Sequence, residues 1–117
     1  MPQGTRIERV GEEFREIIAE EIQKLKDPRV GFVTVTAVRV TPDLRQARVR
    51  YTSLGDDKAR AGTRAALRSA RSHVRRELGR QIRLKVTPEL IFEEDLSIET
   101  ATRVSELLAE VAKEEES

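Results

Sequence analysis

Arg64, Arg68, Arg71 and Arg75 follow one another at intervals of four, three and four residues. At about 3.6 residues per turn, that spacing keeps four guanidinium groups on one side of a helix. This side lies roughly a quarter-turn from an apolar stripe of Leu67, Ala70, Val74 and Leu78, so the arginines flank a core without entering it. Arg76 and Arg80 form a second row nearer the solvent. Guanidinium forks match phosphate oxygens bidentately, so such rows suit a phosphate backbone. Stability is a poor reason to keep them, because Glu77 is the one acid among ten basic residues between positions 58 and 85, a balance of +9. Exposed ion pairs contribute little even where they form. The competing reading is a solvated helix face that happens to be rich in arginine, and composition leaves the two even. Arg48, Arg50, Arg83 and Lys85 are weaker candidates for the same polyanion-binding surface.

Other chemistries find little to work with. The chain has one histidine, His73, and no cysteine. Nucleophilic and metal-assisted catalysis need a nucleophile with its base, paired carboxylates or a ligand cluster. A lone histidine inside an arginine-rich helix supplies none of these. Glu93, Glu94 and Asp95 could be imagined around magnesium, but neighbours on a strand point to opposite faces. No glycine-rich phosphate loop of the nucleotide-binding kinds is present. The expectation is a protein that is not an enzyme and uses no cofactor or metal. Aromatic stacking is also scarce, with three Phe, one Tyr and no Trp. Readers of single-stranded RNA usually stack bases on aromatic platforms. Tyr51 alternates with Arg48 and Arg50 and is expected to face the core. Phosphate position and RNA shape are therefore more plausible targets than base sequence.

A chain of 117 residues suits one domain. Hydrophobic residues make up 38% and charged residues 37%, so Val, Leu, Ile and Ala must build the core. The net charge of +1 hides a segregation: residues 1–57 balance to zero, 58–85 carry +9 and 86–117 carry −8. Asymmetry of this kind is a better guide to partners than the total. There is no apolar run long enough to span a membrane and no apolar core of a secretory signal. A cytoplasmic location without membrane association is expected.

These residues need a scaffold, and the chain supplies one in order. Residues 5–26 read as a helix, because Ile7, Val10, Phe14, Ile17, Ile18, Ile22 and Leu25 form one stripe that ends at Asp27-Pro28. Packing against the protein's own sheet is favoured over a partner groove or a membrane. Residues 30–40 are β-branched and read as a strand, but both alternating sets are apolar, so its inward face is not assignable. After the turn signal Thr41-Pro42-Asp43, residues 45–53 alternate, with Ala47, Val49 and Tyr51 on one face and Arg48, Arg50 and Thr52 on the other. Gly55-Asp56-Asp57 precedes a helix to about residue 81. At about 1.5 Å per residue it would overrun a strand, which predicts a bend near Ser69, Ala70 and Ser72. Residues 82–93 read as a third strand, with Leu84, Val86, Leu90 and Phe92 on one face, and with Pro88 marking an edge or an interruption. Residues 98–112 read as a last amphipathic helix. The class is α+β, with a three-stranded sheet and helices on one face.

Several segments together carry a resemblance. Arg9-Val10 heads the first helix, and Asp27-Pro28-Arg29-Val30-Gly31-Phe32 leads into Val33-Thr34-Val35. Asp43-Leu44 precedes Ala47 and Val49-Arg50-Tyr51, while Pro88-Glu89-Leu90 is followed by Phe92, Asp95 and Ser97-Ile98-Glu99. In this order the set resembles the ribosome-binding factor A family, from about Arg6 to Leu108. The resemblance implies a KH-like domain of type II topology, α-β-β-α-kink-α-β. It also implies binding to free, immature small ribosomal subunits, support for late maturation and processing of small-subunit rRNA near its 5′-terminal helix, and a link to growth in the cold. KH domains clamp the RNA backbone with a GxxG loop. This family resembles them but carries a helix bend of the form Ala-x-Gly, which here falls on Ala70, Arg71 and Ser72, with serine in place of glycine.

The expected organisation is an RNA-binding domain over residues 1–97 and an amphipathic, acidic tail helix over 98–117. The tail sets Arg103 and Lys113 against six glutamates, a balance of −4. It is expected to be loosely attached and to shield the basic surface. The expected partner is the small ribosomal subunit with its rRNA, bound by a monomer. The alternative is a protein-interaction module whose charge-segregated ends bind another protein and no RNA.

Overall fold

The computed structural model describes residues 6–96 and 98–116, except for the side chains of 98–103 and 114–116. Six elements follow in the order α1 (Arg6–Gln23), β1 (Val33–Val40), β2 (Gln46–Ser53), α2 (Asp57–Gln81), β3 (Glu89–Glu94) and α3 (Ile98–Glu116). The sheet order is β1-β2-β3. β1 and β2 form an antiparallel hairpin, and β2 pairs in parallel with β3. A parallel neighbour needs a crossover, which α2 supplies.

The core lies between the helices and one face of the sheet. Phe14, Ile18 and Ile22 from α1 and Leu67, Val74 and Leu78 from α2 meet Val35, Val40, Ala47, Val49, Tyr51 and Leu90. The alternation read in β2 is present, with Ala47, Val49 and Tyr51 buried. α1 lies close against β1 at Gly11, where an added Cβ would stand 2.5 Å from the Val38 carbonyl oxygen.

The ambiguity of the first strand has a local cause. The pairing shifts register between Val35 and Ala37. Thr36 is the extra residue, and its hydroxyl donates to the Arg50 carbonyl at 3.3 Å. A bulge of this kind resets the alternation, so the inward residue is Val35 before it and Val40 after it. That is why both alternating sets are apolar.

One expectation is refined and another corrected. The bend expected near Ala70 and Ser72 leaves the hydrogen-bond ladder whole, since α2 is one uninterrupted helix of 25 residues. Serine keeps its backbone N–H and has ordinary helical angles available, so nothing there obliges the hydrogen-bond ladder to break. The third strand starts at Glu89, after Pro88, and residues 82–88 form no strand. Val86, expected on the inner face, is 63% exposed. The segment runs back along the last turn of α2 instead, where Gly79 faces Thr87 so closely that a Cβ would stand 2.6 Å from the threonine hydroxyl.

Among the described residues, no helix is long and apolar enough to cross a membrane. α3 rests on the body through Val104, which is buried, and beside Leu108 it borders a groove with Leu54 and Leu96. The expectation of a loosely held tail is thus qualified by an apolar foothold near the start of this helix.

Candidate nucleic-acid interface

α2 is set in place at both ends. Asp56 caps it by accepting the Ala59 N–H at 2.8 Å. Thr63, fully buried, accepts the Gly31 N–H at 3.2 Å and lies in donating range of the Arg29 and Ala59 carbonyls, at 3.3 and 3.2 Å. Asp27 lies beside the Arg29 guanidinium, which holds its carboxyl down to about 2. At the other end the Ile82 N–H donates to the Leu78 carbonyl. With Leu67, Val74 and Leu78 buried, the flank that remains carries the predicted arginine row.

The members of that row differ in what they touch. Arg68 and Arg71 are exposed and have no hydrogen-bond or ion-pair partner among the described residues. Arg64 donates to the Glu94 carboxylate at 3.2 Å. Arg75 is committed to the fold: its guanidinium donates to the Thr87 carbonyl at 2.6 Å and the Pro88 carbonyl at 3.1 Å. It thereby fastens the return segment to α2. In the second row, Arg80 pairs with Glu77 at 3.2 Å, while Arg76 is exposed and unpaired among the described residues. Arg83 and Lys85 sit exposed on the return segment, near the same end of α2, also without partners among the described residues. Arg48 and Arg50 lie apart from all of these, on the open sheet face. There they share Glu93 at 3.6 and 3.9 Å.

Sequence reasoning missed Arg60, although it extends the row by one further interval of four. It is half-buried and donates to Glu94 at 3.1 Å. That hydrogen bond holds the Glu94 carboxyl below its ordinary value, with Arg64 and the Ser53 hydroxyl adding to the effect. The neighbours Glu93 and Glu94 thus serve opposite faces of β3, as strand alternation requires. One neutralises the open-face arginines and the other the helix arginines. Among the described residues, no group of acids and histidine could hold a metal ion.

Where α2 passes the free edge of β3, the side chains of Tyr51, Arg64, Arg68, Arg71, Ile91, Phe92 and Glu94 line a cleft of about 150 Å³. Tyr51 and Phe92 meet edge to face, with ring centroids 6.4 Å apart. The chemistry offered is an array of guanidinium donors, part free and part held by one carboxylate, above a small aromatic floor. It suits oxyanions in a fixed spatial arrangement. It does not suit a series of stacked bases.

The profile of the ribosome-binding factor A family matches residues 6–108. Ribosome-binding factor A of Geobacter sulfurreducens is 49% identical over 110 residues, covering 93% of each chain. The crystal structure of ribosome-binding factor A from Thermus thermophilus superposes with a TM-score of 0.68 at 29% identity, covering 77% of this chain and 97% of that one. The Thermus protein fitted into a cryo-electron microscopy map of its complex with the 30S subunit gives a TM-score of 0.63 at 30% identity, over 78% and 93% of the two chains. The type II KH-like architecture implied by the sequence is the fold of these neighbours.

Proposed function

Since the chain belongs to the ribosome-binding factor A family, a family of ribosome-binding factors rather than enzymes, we propose that it binds the small ribosomal subunit through α2. We propose further that it acts in the cytoplasm, as a monomer, on free immature subunits. There it supports late maturation and processing of small-subunit rRNA near the 5′-terminal helix, with a role in growth in the cold. The observation that carries the RNA contact is the pair Arg68 and Arg71, unpaired at the rim of the cleft beside Arg64. Unpaired guanidinium groups on a rigid helix are ready donors to phosphate, and no carboxylate must first be displaced from them.

Five of the ten predicted contact residues have no ion pair or side-chain hydrogen bond among the described residues: Arg68, Arg71, Arg76, Arg83 and Lys85. If each takes one phosphate, the logarithm of the binding constant falls with the logarithm of salt with a slope between roughly −3.5 and −4.5. The test is co-sedimentation with purified small subunits, large subunits and naked RNA. The parent pellets with small subunits, and the double variant Arg68→Ser, Arg71→Ser does not, with an unchanged melting temperature. Arg75 is left out of the variant because its loss would also free the return segment. Parent-like sedimentation of the double variant would reject the α2 surface. The second reading, a protein-interaction module, draws on the acidic α3, where Leu107 and Val111 stay exposed beside Glu106 and Glu110. It is favoured if the parent binds neither subunits nor RNA.

A further inference from the structure

The cleft between α2 and β3 contains a polar group that neither the fold nor the arginine row uses. Tyr51 is only 2% exposed, yet its phenol has no hydrogen-bond partner among the described residues. The ring is enclosed while the hydroxyl opens on the cleft, where a ligand can supply the acceptor it lacks. Phe92 covers the ring edge to face, and the side chain lines the cleft together with Arg64, Arg68 and Arg71. Burial and then Glu94 push the phenol pKa up, and Arg64, Arg60 and Arg68 oppose the shift. The phenol is therefore a neutral donor at ordinary pH, placed among four charged groups.

The cleft already accommodates one oxyanion. The Glu94 carboxylate, 11% exposed, accepts from Arg60 at 3.1 Å, Arg64 at 3.2 Å and the Ser53 hydroxyl at 3.3 Å. It satisfies Arg60 and one nitrogen of Arg64 and leaves Arg68, Arg71 and Tyr51 unanswered. Three guanidinium groups line the cleft against one carboxylate, which Arg60 also pairs, so the cleft retains a positive field. About 150 Å³ is room for a group the size of benzene. A phosphate fits that space, and a whole nucleotide does not.

We propose that this cleft seats a single phosphate group, with the Tyr51 hydroxyl donating from the floor and Arg64, Arg68 and Arg71 closing around it. The proposal deepens the reading of α2 as the RNA-contact surface and rests on it for the source of the phosphate. It gives one phosphate of the RNA a fixed seat, while the other arginines meet phosphates at an open surface. A seated phosphate sets the register of the RNA along α2, and the open contacts set only affinity.

The seat is tested with inorganic phosphate alone, by following the guanidinium Nε–H resonances of the full-length protein. In the parent, the Arg64, Arg68 and Arg71 signals shift and saturate. Tyr51→Phe, which keeps the ring and its packing, weakens the apparent affinity about tenfold, the cost of a hydrogen bond to a charged group. Glu94→Gln removes the resident negative charge and tightens binding several-fold, a gain that a damaged fold would not produce. Absence of saturation in the parent, or equal affinity in Tyr51→Phe, overturns the seat, whatever the arginine variant does in sedimentation. Competition then identifies the source. If a 5′-phosphorylated oligoribonucleotide displaces inorganic phosphate better than its 5′-hydroxyl counterpart, the seat takes a terminal phosphate. Equal displacement assigns an internal one, and displacement by neither overturns the link to RNA.

Discussion

Individual side chains divide into those that hold the fold and those left over for a partner, and substitutions should separate the two. Phe14 is 1% exposed at the centre of the α1 stripe. Phe14→Ala is expected to cost about 3–5 kcal/mol as a core truncation, read as a lower denaturation midpoint, with subunit binding retained under conditions where the variant is folded. Glu94 combines both roles. Its folded carboxyl lies below the ordinary value of 4.5, chiefly through the hydrogen bond from Arg60. A depressed folded value means that the stabilisation is fully present above about pH 4.5 and is lost as pH falls through the folded value. Glu94→Gln should therefore melt below the parent at neutral pH, and the gap should close on acidification. A gap that persists unchanged at pH 3 would mean that the ion pair with Arg60 is not its source.

The elements show which parts of the fold were legible and which were not. α1 and β2 could be read because each obeys a single period over its whole length, and the β1–β2 hairpin because the turn signal Thr41-Pro42-Asp43 joins two strand-like runs. β1 could not be oriented, because the bulge at Thr36 lets two alternating patterns share one strand. The third strand was drawn too long because Leu84 and Val86 continue an apolar alternation that the backbone abandons before Pro88. What fixes that segment is a side chain from elsewhere, Arg75 on the Thr87 and Pro88 carbonyls, and no local pattern reports such a contact. For the same reason the arginine row was visible as spacing, while the split between free Arg68 and Arg71 and committed Arg75 was not. Gly11 had a weak signal, an isolated glycine inside a helical pattern. Because its missing Cβ faces the Val38 carbonyl at 2.5 Å, Gly11→Ala gains helix propensity but pushes α1 away from β1. The expected net effect is destabilisation by about 1–3 kcal/mol, measurable by urea denaturation. A more stable variant would show that α1 can shift without cost.

At the scale of the whole molecule, the charge segregation seen along the chain becomes a spatial arrangement. The basic flank of α2 is one surface, and the acidic α3 is anchored to the body through Val104 beside Leu54 and Leu96. We propose that α3 lowers the affinity of the basic surface for RNA by its field alone, since it carries a balance of −4 from residue 98 to 117. Removal of residues 98–117 should then raise RNA affinity at low salt. The gain should shrink as ionic strength approaches roughly 0.15 M, where the screening length falls to about 8 Å. Binding of the shortened protein that is unchanged or weaker at low salt would remove the shielding role.

The bulge in β1 has a consequence beyond register. With the order β1-β2-β3, the outer edge of β1 is paired with no other strand among the described residues. A long, regular edge rich in valine and threonine is a template for another chain. The extra residue at Thr36 interrupts the even row of donors and acceptors that such recruitment needs. Deleting Thr36 would regularise the edge while keeping Val33 and Val35 opposite Ser53 and Tyr51, on their present face. That variant is expected to scatter light and bind thioflavin at concentrations where the parent stays clear. A clear solution of the deletion variant would show that the irregularity serves packing alone and not protection against self-assembly.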